Sequence, residues 1–185
     1  LHAGRVARPR GVGPHADEAQ VRVIDIHPSK TADTRTCDVS TVSKAQLYES
    51  SVQHIGDVRR ALHFFIDRID EAADRHDYDK LTDIASFHAD FLTKFEQTGW
   101  WDRHRKLNRH HLLQDDGVPA DVNLIDVLDM IADCVMAGMG RAGSVYPLDI
   151  KPDVLMAAFQ NTVTLLKDRV AVVPEQAERL TERGT

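Results

Sequence analysis

The chain is 185 residues long, 42% hydrophobic and 28% charged, which is enough for one domain with a substantial core. Its formal net charge of -6 excludes coating of nucleic acid by bulk electrostatics, a mode that needs a basic face to displace counterions. Two cysteines, Cys37 and Cys134, are too few for a disulfide framework, and no apolar run reaches membrane-spanning length, so a reducing, cytoplasmic setting is expected.

In chain order, "LHAGRVARPRG" is basic but lacks the apolar core of a signal peptide. Residues 1 to about 20 are rich in Gly, Pro, Arg and Ala without periodicity, and a poorly ordered N-terminal tail is expected over 1–47. Within it "VRVIDIHPS" alternates apolar and polar residues and suits one short strand, with no evident partner. From about Tyr48 the pattern turns helical, with Val52, Ile55, Val58, Leu62, Phe65, Ile66 and Ile69 at three- and four-residue spacing. A second stripe, Ile84, Phe87, Phe91 and Phe95, is expected to stop at Gly99. "RHRKLNRHHLL" reads as a short helix and "QDDGVPAD" as a loop. "NLIDVLDMIADCVMAGM" is the longest apolar helical run, with Cys134 as a small core residue, and "PDVLMAAFQNTVTLLKDRV" makes the last helix, with Pro152 in its first turn. The predicted class is all-α, with a helical domain over 48–173 and a polar C-terminal tail over 174–185.

Between Leu124 and Met139 the only charged residues are Asp126, Asp129 and Asp133. Their spacing, three then four, places them on one arc of a helix that turns about 100° per residue. A solvated face usually mixes in long Lys, Arg, Glu and Gln side chains, whereas this stripe is narrow, purely Asp, and set in an otherwise apolar helix. Burying carboxylates without a cation or donor is costly, so at least one is expected to bind a metal.

"RHDYDK" adds adjacent His76 and Asp77 beyond the first helical pattern, and His54 sits on the flank of the first apolar stripe. Imidazole and carboxylate donors without cysteine suit a divalent transition metal or Mn and leave positions open for water. His63 and His88 read as surface residues, and Trp100 and Trp101 as core. The stretch "RHRKLNRHHL", residues 103–112, carries three His, three Arg and one Lys. On a helix His104 and His111 share one side and Arg103 and His110 another, so one side is expected to rim a phosphate-binding site and the other to be solvated.

The order His54, then His76 and Asp77, then Asp133 resembles the H…HD…D pattern of HD-domain metal-dependent phosphohydrolases, a wholly helical fold. The fuller set "HIGDV", "RHDYDK", "NRHHL" and "NLIDVLDMIAD" is similar to a largely phage and bacterial family related to those enzymes. The resemblance spans residues 48 to 167 and implies an HD-domain-like helical bundle. Carried over by position, it implies a divalent metal ion (Mn, Co, Zn, Fe or Mg) held by His54, His76, Asp77 and Asp133. Asp126 and Asp129 would orient His110 or His111 through the other ring nitrogen. Catalysis falls to Asp77, Lys80 and His110, and a small phosphorylated substrate, expected to be a nucleotide, to Lys80, His104, Asn108, Arg109 and His111. The position three beyond the HD pair, acidic in the nucleotidase branch, is Lys80, which suits phosphate rather than the same general base.

Two other readings compete. In an all-α nucleoside triphosphate pyrophosphohydrolase, Asp126, Asp129 and Asp133 would bind Mg²⁺ and the histidines would be idle. In a non-enzymatic helical phage protein, the His and Asp residues would form a structural cluster with no adjoining pocket. A homodimer is left open, and the expected location is the cytoplasm of a bacterium or phage-infected host.

Overall fold

The computed structural model describes residues 23–29, 31, 33–113 and 115–174, so residues 1–22 of the expected N-terminal tail lie outside it. The fold is mostly helical, as the sequence predicts, with one small sheet. Helix α1 runs Lys44–Arg75, starting ahead of Tyr48 because "SKAQ" is a capping box. Gln46 N donates to Ser43 Oγ at 3.2 Å, and Ser43 N donates to Gln46 Oε1 at 2.9 Å. The helix ends at His76, and Asp77 adopts a left-handed backbone (φ 53°) that turns the chain into α2, Tyr78–Thr82.

Helix α3 is Ile84–Leu92, shorter than the Phe stripe suggests, because Lys94 and Phe95 take left-handed backbones. Gly99, expected to stop that helix, instead opens α4, Trp100–Leu107, with φ 67°. The buried Asp90 ties the two helices together. Its Oδ1 accepts from Thr98 N and its Oδ2 from Trp101 N, both at 3.0 Å, the second a donor that a helix start leaves unpaired. Trp100 is buried against Phe87, and its Nε1 donates to Asp83 Oδ2 at 3.0 Å, so it is a packing residue, as the sequence suggests.

After a 3-10 turn at Asp115–Gly117 comes α5, Leu124–Ala142, capped by Asn123, whose side chain accepts from Ile125 N. Helix α6, Pro152–Lys167, stops before the Val170 expected from the pattern. That segment forms strand β2, Val170–Val172, in parallel register with β1, Ile24–Ile26, pairing Ile24 with Val170. The predicted strand therefore has its partner where a helix end was expected. The apolar core sits between α5, α6 and the loop before α5, centred on Leu112, Val122, Val127, Met130, Cys134 and Ala158. Among the described residues, no helix is long and apolar enough to cross a membrane.

Candidate metal centre

Five side chains from three segments converge beside this core: His76 and Asp77 from the α1–α2 turn, His104 from α4, and His110 and His111 from the turn after it. They form two groups with ligand-compatible spacing, His76–Asp77–His110 and Asp77–His104–His111, which share Asp77. Either group could hold a metal ion. Asn108 shapes the junction. Its Oδ1 accepts from Asp77 N at 3.1 Å, holding the left-handed turn, and its Nδ2 donates to Asp79 Oδ1 at 2.9 Å.

Two of the rings are aimed by carboxylates. His76 Nδ1 lies 2.7 Å from Asp129 Oδ1 and His104 Nδ1 lies 2.8 Å from Asp79 Oδ2. With the protons on those nitrogens, both Nε2 lone pairs face inward. His76 Nε2 is then 3.6 Å from Asp77 Oδ2 and 3.9 Å from Asp133 Oδ1. His104 Nε2 is 3.3 Å from Asp77 Oδ1 and 3.0 Å from His111 Nε2. A ring whose outer N–H is held by a carboxylate is the arrangement that fixes the tautomer of metal-binding histidines.

The third ring is the most telling. His110 is 2% exposed, neither of its ring nitrogens has a hydrogen-bond partner, and Asp77 Oδ1 is likewise buried without one. His110 Nε2 points at that oxygen across 3.6 Å, and its Nδ1 lies 3.4 Å from Asp129 Oδ2. Buried polar atoms are almost always paired, so facing acceptors with a gap between them are what a cation would satisfy. The donor set, neutral nitrogen and anionic oxygen without sulfur, fits a divalent metal.

The electrostatics agree with that fit. Burial pushes the Asp77 carboxyl up, but the His104 ring and the Lys80 ammonium beside it outweigh this and hold it well below the usual carboxylate range. His111 is pushed down to about 3 by burial and by its neighbours His110 and His104. Near neutral pH the centre thus offers an ionised carboxylate and an uncharged ring.

The sequence-predicted residues separate into those brought together and those not. His76, Asp77, His104, His110 and His111 share the centre, with Asp133 at its edge and Asp129 behind His76. His54 does not join them. It is exposed on unbroken α1, 22 residues before His76, or roughly 33 Å along a helix rising 1.5 Å per residue. Arg109 is not poised for phosphate: its Nε and Nη2 donate to Asp126 at 2.8 and 2.9 Å, and its Nη1 donates to Asp121 at 3.0 Å. Asp126 in turn completes the α5 capping box through Asn123 N, so it holds the helix start rather than a histidine. Asn108 is likewise spent on the scaffold, and Lys80 on Asp77. His63 and His88 are exposed, as expected.

Sequence reasoning missed three contributors. Asp79 stands two residues after Asp77 and was legible only as part of "RHDYDK". Arg68 and Arg75 line a cavity of about 550 Å³ that His76, His110 and Asp129 also border, and Arg68 Nε is buried there without a partner. An apolar groove of about 350 Å³ between α1 and α5, lined by Ile69, Leu128 and Met136, meets the centre from another side at His76, Asp129 and Asp133. Comparison with protein-family models, curated proteins and solved structures finds no match for this chain.

Proposed function

We propose that the chain is a metal-dependent phosphohydrolase acting on a small phosphate ester, with a nucleotide as the favoured substrate. The observation that carries the reading is the set of buried, unpartnered donors at His110 and Asp77, flanked by carboxylate-aimed rings and bordered by open cavities. His76, Asp77 and His110 would hold one divalent cation, with Asp133 on its edge, and His104 and His111 would hold a second that shares Asp77. When bound, such a cation lowers the pKa of a water toward neutrality and polarises a phosphoryl oxygen, the requirements for hydrolysis of a phosphate ester.

The chain's own groups supply the rest. Asp129 and Asp79 keep the His76 and His104 lone pairs turned inward, and Lys80 keeps Asp77 ionised. Arg75 and Arg68, whose Nη2 pairs with Glu71 but whose Nε has no partner, bring positive charge to the wall of the polar cavity, where phosphate oxygens would be met by charge-assisted hydrogen bonds. The α5 side of the groove, Leu128 and Met136, offers an apolar wall for the ester's remaining group. The pyrophosphohydrolase alternative loses support because Asp126 is committed to Arg109 and Asp129 to His76, leaving no joint acidic site. The adjoining cavities weigh against a purely structural cluster.

The test is metal content together with turnover of p-nitrophenyl phosphate and nucleoside monophosphates by the Mn-, Co- or Zn-loaded protein. His110→Ala should lose both metal and turnover, and His54→Ala should keep both. Wild-type activity in His110→Ala, or equal activity without metal, would reject the reading.

A further inference from the structure

Helix α1 turns its more apolar face outward. Tyr48, Ile55, Leu62 and Ile69 follow one another at seven-residue intervals, and Val52, Arg59, Ile66 and Ala73 do the same four residues on. Together they form an a/d seam of the kind that packs helix against helix. The apolar members from Tyr48 to Ile69 are each between 42% and 70% exposed. The face toward the body of the protein is poorer, with Ser50, Asp57, Phe64 and Glu71 at the same seven-residue spacing and buried or half-buried. A soluble helix ordinarily shows the reverse.

We propose that this seam is a dimer interface, packing α1 against α1 of a second copy in antiparallel orientation. The area is sufficient. Half-exposed side chains along this seam present roughly 700 Å², close to the ~800 Å² per partner of a stable interface and above the patch size a monomer tolerates. The seam spans residues 48–73, about 38 Å of helix, long enough for coiled-coil packing. The chain's own ends are unsuited to covering it: residues 1–22 carry only Leu1, Val6, Val12 and Val21 as large apolar residues, and residues 175–185 only Leu180.

Arg59 selects the orientation. Antiparallel pairing lays Arg59 beside Leu62 of the other copy, where the stem packs and the guanidinium reaches water. A parallel pair would stack Arg59 on Arg59.

Light scattering on the full chain should give twice the chain mass over a wide concentration range. Leu62→Glu should weaken association at least a hundredfold with unchanged far-ultraviolet circular dichroism, and Ile55→Lys should do the same. Leu47→Glu removes an equally exposed apolar side chain from off the seam and should leave the dimer intact. Spin labels on Tyr48→Cys, with Cys37→Ser and Cys134→Ala, should lie on the order of 40 Å apart for antiparallel helices. A monomeric wild type, a dimer that survives both seam variants, or labels within about 20 Å would overturn the proposal.

Discussion

At the scale of single residues, the roles of the carboxylates divide according to what each one touches. Asp129 contacts His76 at 2.7 Å, so it acts on the cation through that ring. Asp129→Asn should therefore lower metal affinity and activity by roughly 10–100-fold while leaving thermal stability of the metal-free protein nearly unchanged, as loss of an outer partner usually does. Asp126, 5% exposed, acts on the fold instead, through Arg109 and the α5 cap. Asp126→Ala should cost about 1–3 kcal/mol in denaturant unfolding, from the lost cap and from leaving Arg109 with Asp121 alone, without removing metal. If metal were lost from the folded variant, Asp126 would have to be reassigned to the centre. The histidines set the acid limit. His111 titrates near 3 in the fold, below its ordinary 6.5, because of burial first and then His110 and His104. Between those values the unfolded chain binds a proton that the native state refuses, so this term is absent above about pH 6.5 and destabilises progressively as pH falls. Asp77, held ionised, adds stability that is lost only at still lower pH. In chelator, the melting temperature should drop between about pH 6.5 and pH 5, and His111→Gln should flatten that slope. An equal slope in both proteins would place the acid sensitivity elsewhere.

At the scale of elements, the centre depends on loops pinned by backbone contacts. Gly117, at the end of the 3-10 turn, packs so closely that an added Cβ would meet the His111 carbonyl oxygen at 2.5 Å. Gly117→Ala must push that backbone aside, and it should cost about 1–3 kcal/mol and weaken metal binding by displacing His111. Unaltered metal affinity in this variant would show that the His111 turn is not coupled to the glycine. The same elements show what the sequence could reveal. Long helices were legible from periodicity, and the Asp stripe on α5 from its isolation among apolar residues. The β1–β2 pair was not, because three-residue strands at residues 24 and 170 carry no sign of each other across six helices. His54 misled because chain order does not say where a helix ends. One unbroken α1 carries it about six turns away from His76. Arg109 misled for a related reason: its counter-charges, Asp121 and Asp126, lie 12 and 17 residues on, where spacing alone cannot join them to it.

At the scale of the whole molecule, the candidate ligands connect parts that the apolar core holds less firmly. The fully buried core gathers α5, α6 and the loop before α5, whereas α1 meets the body largely through half-buried residues. His76 and Asp77 come from the end of α1, His104 from α4, and His110 and His111 from the turn after it, so cations sharing Asp77 would clamp the end of α1 to α4 and its following turn. A ligand that binds only the native state stabilises it by about 4 kcal/mol when present at a thousand times its dissociation constant. For a chain of this size each kcal/mol is worth about 2–4 °C, so stripping the metal should lower the melting temperature by roughly 8–16 °C. The shift should be restored by Mn²⁺, Co²⁺ or Zn²⁺ and should vanish in His110→Ala, whose melting curve would then be the same with and without chelator. Because this readout involves no substrate, it separates the metal centre from the phosphohydrolase reading. An unchanged curve for the wild-type protein after complete chelation would mean that the five converging side chains hold no cation that the fold depends on.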